Sequence, residues 1–316
     1  VFAALTFIIS LGVLLVAARY FTNSAERIGH ALRMSPLMVG VVIVALGTSL
    51  PELVSAVIAS VDGNSAIVAG NVLGANISNI FLILGITTIV AGRSIYLGEE
   101  YIFIDLHFML GSAVLLCYFM WQGTVGMIEG FILLGGFLIY QFHLFGSSKP
   151  KEMPVITEKK DIEEVRRDSS YKDYVILALS AVGIYFGADY TISSISEIAA
   201  SFGVDEGLIS ITALSLGTTF PELFVSISAT RAGHAEIAIG NILGSCIFNA
   251  FAVTGVASVI SPIVVPHIMR DVALVFLLIA AVFFYLLSQD KKISKWEGML
   301  FVLFYVVFIL KISQLI

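Results

Sequence analysis

Residues 47–52 read GTSLPE and residues 217–222 read GTTFPE; residues 70–79 read GNVLGANISN and residues 240–249 read GNILGSCIFN. Written one above the other at a constant offset of 170, residues 46–85 and 216–255 are identical at 17 of 40 positions without a gap. Shared apolar composition produces coincidences of Leu and Ala, but it does not set Gly, Pro, Glu and Asn in register. Here Gly47 aligns with Gly217, Pro51 with Pro221, Glu52 with Glu222, Gly70 with Gly240, Asn71 with Asn241, Gly74 with Gly244 and Asn79 with Asn249. The chain contains an internal duplication, and where its two copies fall decides the fold.

They fall in a chain too apolar for water. Of 316 residues, 58% are hydrophobic and 13% are charged, against roughly 25% charged in a soluble domain. Marking apolar runs between charged or Gly/Pro breaks gives ten candidate spans, at about 1–21, 37–61, 66–92, 101–120, 125–145, 173–195, 206–230, 235–261, 270–288 and 296–314. One long polar stretch of mixed charge interrupts them. The expectation is an all-α polytopic membrane protein of ten transmembrane helices, built as a first five-helix repeat (1–145), a charged linker (146–172) and a second five-helix repeat (173–316). The two copies of the motif, 45–86 and 215–256, are separated by five crossings. An odd number means that they enter the membrane from opposite sides, the inverted-topology plan of alternating-access transporters. Fifteen of the 17 Lys and Arg residues lie in the odd-numbered loops, which places the linker in the cytoplasm and both termini outside. The opening VFAALTFIISLGVLLVAA has no basic n-region and no small-residue cleavage site, so it reads as a span and not as a signal peptide. A dispersed net charge of -6 gives no argument for nucleic acid, and two cysteines inside apolar runs, Cys117 and Cys246, exclude a disulfide framework.

Glu52 and Glu222 fall near the middle of the second and seventh spans, where an isolated ionised side chain costs at least a few kcal/mol. Two of them call for a compensating cation. Pro51 and Pro221 lack an N–H, so carbonyls near Gly47 and Gly217 are released from the helix ladder, and the second and seventh helices, like the third and eighth, are expected to be broken. Thr48 and Ser49 share a face with Glu52, and Thr218 and Thr219 repeat that arrangement with Glu222. Asn79 adds an amide oxygen, and Ser245 with Asn249 is a further i,i+4 pair. Carboxylates, amides, hydroxyls and carbonyls make an all-oxygen site, which suits hard cations such as Ca²⁺ or Na⁺. Alternate occupancy of one such site would give exchange.

GTSLPEL and GTTFPEL, each followed by GN-x-x-G-x-x-I-x-N, resemble the two repeats of the calcium/cation antiporter superfamily, most closely its prokaryotic sodium/calcium exchangers. The resemblance implies antiport of Ca²⁺ against Na⁺ by a multi-pass cell-membrane protein, with no cofactor, no enzymatic activity and a single chain sufficient in the bilayer. It implies a central site of Glu52, Glu222, Asn79 and Asn249, with further oxygens from Thr48, Ser49, Thr218, Thr219 and Ser245 and from the backbone carbonyls of Ala45 and Ser215. Spans one and six would be the sliding pair. Ala75 stands where the other repeat has Ser245, so one hydroxyl is missing. Asn249 stands where potassium-dependent relatives carry Asp, which argues against potassium coupling.

The alternative on the same fold is Ca²⁺/H⁺ antiport, disfavoured because those relatives show GN-x-x-E where this chain has Thr48 and Thr218. A cation channel would need rings of equivalent residues about a pore axis. An intramembrane hydrolase would need a nucleophile or metal motif, and the five histidines show neither H-E-x-x-H nor i,i+4 pairing with one another. Asn71 and Asn241 are expected nearer the membrane surface, satisfying helix ends. The small-xxx-small pairs Gly70/Gly74 and Gly240/Gly244 read as close packing.

Overall fold

The structure, a computed structural model, describes residues 2–32, 34–63, 65–97, 104–146, 170–201 and 219–313. Among these, helices lie on all ten apolar runs. They are α1 (Phe2–Ala31), α2 (Pro36–Val61), α3 (Ser65–Ala91), α4 (Leu106–Trp121), α5 (Met127–Gly146), α6 (Tyr171–Ser201), α7 (Phe220–Arg231), α8 (Ala235–Ile260), α9 (Leu274–Leu287, entered through a π turn at Met269–Ala273) and α10 (Lys295–Ile312). Seven of the described helices are long and apolar enough to cross a membrane.

The chain distributes polarity inside out, as a bilayer solvent requires. Along α2 the residues at Ala45, Thr48, Ser49, Glu52, Ala56, Ala59 and Ser60 are buried, a helical period that carries most of the polar groups. Leu50, Val54, Ile58 and Val61 point outward from the same helix. The most enclosed spans are α3 and α8, 83% and 89% buried, whereas α1 and α6 are only 22% and 28% buried. Those two therefore lie at the periphery. They pack on each other, with Leu14, Ala17, Ala18, Phe21 and Ala25 of α1 against Ile184 and Ala188 of α6, in an apolar cluster that also takes in Val39 and Val44 of α2, Val225 and Ala229 of α7 and Ile237 and Ala238 of α8. A second, larger cluster joins α2 to α5 and α8 to α10.

Two boundaries differ from expectation. Helix α1 runs past residue 21 to Ala31, with Thr22, Ser24, Ala25 and Ile28 still buried; Arg19 and Arg27 end the apolar run but not the helix. Helix α6 occupies Tyr171–Ser201 instead of 173–195. The expected breaks also take another form. Pro51 lies inside the continuous helix Ala45–Val61, preceded by a π stretch at Val39–Val44. Helices α3 and α8 stay wound through π stretches at Ser78–Leu84 and Asn249–Val253. A π turn inserts a residue and shifts the hydrogen-bond register without opening the helix to lipid. In α7 the described part begins just before Pro221, so a break upstream of it lies outside the described residues.

Four short strands tie the ends together: β1 (Ile95–Tyr96), β2 (Thr124–Val125), β3 (Ile263–Val264) and β4 (Lys292–Ile293). Strand β1 pairs antiparallel with β4, and β2 with β3. An offset of 168 carries Ile95 and Tyr96 onto Ile263 and Val264, and Val125 and Thr124 onto Ile293 and Lys292, so one ribbon's register maps onto the other's. The flanking bonds obey the same rule: Leu97 N–H donates to Lys291 O and Val265 N–H to Gly123 O, each at 2.9 Å. Close helix crossings repeat too. A Cβ on Gly85 would meet Gly298 O at 2.8 Å, and one on Gly130 would meet Gly255 O at 2.9 Å. The hairpins α2–α3 and α7–α8 turn at Gly63 and Gly233, at φ +75° and +94°, values that favour glycine. The duplication read in the sequence thus has a counterpart in the contacts.

Candidate functional site

The duplicated motifs meet at the centre of the larger bundle. Glu52, Thr48 and Ser49 on α2, Glu222 on α7, Thr219 at its start, Asn79 on α3, and Ser245 and Asn249 on α8 are all buried, as is Ala45. Ser215 and Thr218 lie outside the described residues. The hydrogen bonds cross from one repeat to the other. Ser49 Oγ donates to Glu222 Oε1 at 3.0 Å and lies 2.9 Å from Ser245 Oγ. One hydroxyl of the first copy therefore touches a carboxylate and a hydroxyl of the second. Helix α3 joins the same level: the thiol of Cys246, next to Ser245, lies 4.0 Å from Asn76 O, one turn before Asn79.

The π stretches begin beside the candidate amides. Asn79 is the second residue of one, and Asn249 is the first of the other. Thr254 Oγ1 donates to the Asn249 carbonyl at 3.0 Å, five residues back. The shift in register re-aims these two side chains relative to the rest of their helices, and nothing in side-chain type encodes it. Among the described residues no donor reaches Glu222 Oε2, Asn79 Oδ1 or Asn249 Oδ1. Buried acceptors in that condition are costly unless a donor or a cation meets them.

Asn241 departs from expectation. It sits in the protein interior with its side chain spanning three helices, instead of capping a helix end near the surface. Its Nδ2 donates to Ser226 Oγ at 2.9 Å and to the Glu222 carbonyl at 3.3 Å on α7, and its Oδ1 lies 3.1 Å from Thr48 Oγ1 on α2. Thr48 and Asn241 are 193 residues apart, so only the repeated GN signal could have drawn attention to it. The reading of Gly240 and Gly244 as packing residues holds for α8. A Cβ on Gly240 would collide with Leu37 O and stand 2.9 Å from Gly40 Cα; one on Gly244 would stand 2.6 Å from Ala45 Cβ. Close approach of α2 and α8 brings Thr48 and Ser49 within reach of Asn241 and Ser245.

Helices α1 and α6 cover this centre. A void of about 10 Å³ lies between them and the motifs, bordered by Phe21, Thr48, Pro51, Ile184, Tyr185 and Pro221. The Phe21 ring packs where a Cβ on Gly47 would be, 2.7 Å from Cζ. At one end α1 is held by polar contacts that the sequence did not announce. Arg27 Nε donates to Asp173 Oδ1 of α6 at 2.7 Å, and Glu26 Oε1 lies 3.0 Å from Nε2 of His234, between α7 and α8.

A helical membrane protein with paired motifs, buried carboxylates and an oxygen-lined centre is a transporter in class and not an enzyme. The profile of the family described as "Sodium/calcium exchanger protein" matches residues 2–146 and 172–313. The chain belongs to that family. It is 29% identical to "Sodium/calcium exchanger MaX1" of Methanosarcina acetivorans, over 96% of this chain and 97% of that one. It is also 29% identical to "Putative antiporter CaxA" of Alkalimonas amylolytica, over 94% of each. Among solved structures, the sodium-calcium exchanger NCX_Mj soaked with 2.5 mM Na⁺ and 0.1 mM Ca²⁺ superposes with a TM-score of 0.79 at 26% identity, covering 97% of both chains.

Proposed function

We propose that this chain is an antiporter that moves Ca²⁺ against Na⁺ by alternating access. Ca²⁺ and Na⁺ occupy in turn a cage formed by Glu52, Glu222, Asn79 and Asn249, with oxygens from Thr48, Ser49, Thr218, Thr219 and Ser245 and the carbonyls of Ala45 and Ser215. The observation that carries the reading is the contact of Ser49 with Glu222 and Ser245, which joins the two motif copies at a buried point rich in unmet acceptors. Two carboxylates balance one Ca²⁺, and the same oxygens serve monovalent ions in its absence. The cage lies at the membrane midplane between inverted repeats, with both termini outside and the 146–172 linker in the cytoplasm. Helices α1 and α6, which pack against each other along their length, slide as a pair over a fixed frame and open the cage to one side at a time.

Reconstituted vesicles test this. Uptake of radiolabelled Ca²⁺ is expected to follow an imposed Na⁺ gradient, and uptake driven only by a pH gradient would establish the Ca²⁺/H⁺ reading instead. Glu52→Gln and Glu222→Gln are each expected to abolish uptake while the protein still purifies as a monodisperse species. Full uptake by either variant would overturn the site assignment.

A further inference from the structure

Thr48 poses a problem of proton placement. A hydroxyl serves a cation through its lone pairs, so its single proton has to be directed elsewhere. Thr48 Oγ1 has helix acceptors at Val44 O, 3.1 Å, and Ala45 O, 3.4 Å, and it lies beside the Glu222 carboxylate. Ser49 already donates one proton to that carboxylate, and a second from Thr48 would compete with a bound cation for its remaining lone pairs.

Asn241 supplies an acceptor on another side. The carbonyl of Glu222 can only accept, so the end of the Asn241 amide facing it is Nδ2, and the Ser226 contact anchors that same nitrogen. Oδ1 is thereby turned toward Thr48 Oγ1 at 3.1 Å. Between an amide oxygen and a hydroxyl, the bridging proton belongs to the hydroxyl. Among the described residues Thr48 is the sole donor to Asn241 Oδ1, so a Thr48 proton spent elsewhere would leave a fully buried acceptor unmet.

We propose that Asn241 is a positioning residue that draws the Thr48 hydroxyl proton away from the cage, so that Thr48 Oγ1 presents lone pairs to the transported cation. The proposal rests on the reading of Thr48 as a cage oxygen. It also assigns Ser226 a part, as the anchor that keeps the amide from rotating. The other repeat has Ala56 at the position matching Ser226, so this anchoring belongs to one repeat alone.

The test is a double-mutant cycle in proteoliposomes, reading the Ca²⁺ concentration for half-maximal uptake separately from the maximal rate. Thr48→Val and Asn241→Leu are each expected to raise the half-saturating concentration about tenfold. The double variant is expected to be no worse than the weaker single, because both remove the same oriented hydroxyl. Multiplicative effects, about a hundredfold in the double, would overturn the positioning role and leave Asn241 as a helix contact. An unchanged half-saturating concentration in Thr48→Val would instead overturn the reading of Thr48 as a cage oxygen. Ser226→Ala, a small change on the far side of Asn241, is expected to raise the value about twofold to fivefold, and not at all in the Thr48→Val background. Where Asn241→Leu fails to purify as a single species, that second cycle decides on the same criterion.

Discussion

Ser49 is the residue at which the two halves of the motif become one site. Its hydroxyl donates to a carboxylate oxygen and meets a second hydroxyl, and the residue is fully buried. A hydrogen bond to a charged group is worth about 1.5–3 kcal/mol, so Ser49→Ala is expected to weaken Ca²⁺ binding about tenfold or more, read as the half-saturating concentration for uptake. An unchanged value would mean that Glu222 is held without it. What the sequence disclosed at this scale were the residue types: Glu, Asn, Thr and Ser placed twice in register. It did not disclose which of them touch. Asn241 looked like a helix-end residue because its partners lie on α2 and α7, and a spacing rule sees only neighbours along one helix. Glu26 and His234 escaped notice for the same reason.

At the scale of the helix, glycines set how closely α2 and α8 approach, and that approach sets which oxygens share the centre. A Cβ on Gly240 would overlap backbone atoms of α2, and backbone cannot rotate out of the way. Gly240→Ala is expected to cost about 1–3 kcal/mol, seen as a lower Tm in detergent, and to weaken uptake along with stability. A Cβ on Gly135 of α5 would meet nothing within 4 Å, so Gly135→Ala is expected to be neutral or to stabilise by up to about 1 kcal/mol. Equal losses at both positions would show that glycine matters only through backbone freedom. Helix existence was legible throughout because each run is long and apolar. Winding was not. Pro51 suggested an opened helix, yet α2 stays closed, and the π stretches at Asn79 and Asn249 have no signature in residue type.

At the scale of the whole molecule, the mutual packing of α1 and α6 makes the proposed motion testable by cross-links. A Cβ on Gly29 of α1 would lie 3.3 Å from the Cβ of Val39 on α2, near the roughly 3.5–4.5 Å spacing of a disulfide. Oxidised Gly29→Cys/Val39→Cys would fasten α1 to the frame, and is expected to stop Na⁺-driven uptake until reduced. Leu14→Cys/Gly187→Cys joins α1 to α6 across a 3.0 Å approach, and is expected to leave uptake intact. The reverse pattern would sink the idea of a sliding pair. The ribbons bear on why the proposed motion would fall to these helices. Ribbon β1–β4 takes one strand from before α4 and ribbon β2–β3 one from after it. Each takes one strand from before residue 146 and one from after 170. These ties add to the close helix approaches at Gly85–Gly298 and Gly130–Gly255, where backbone of one repeat meets backbone of the other. Neither ribbon includes a residue of α1 or α6. The eight remaining helices are cross-tied between the repeats, and the covering pair alone stands outside the ties.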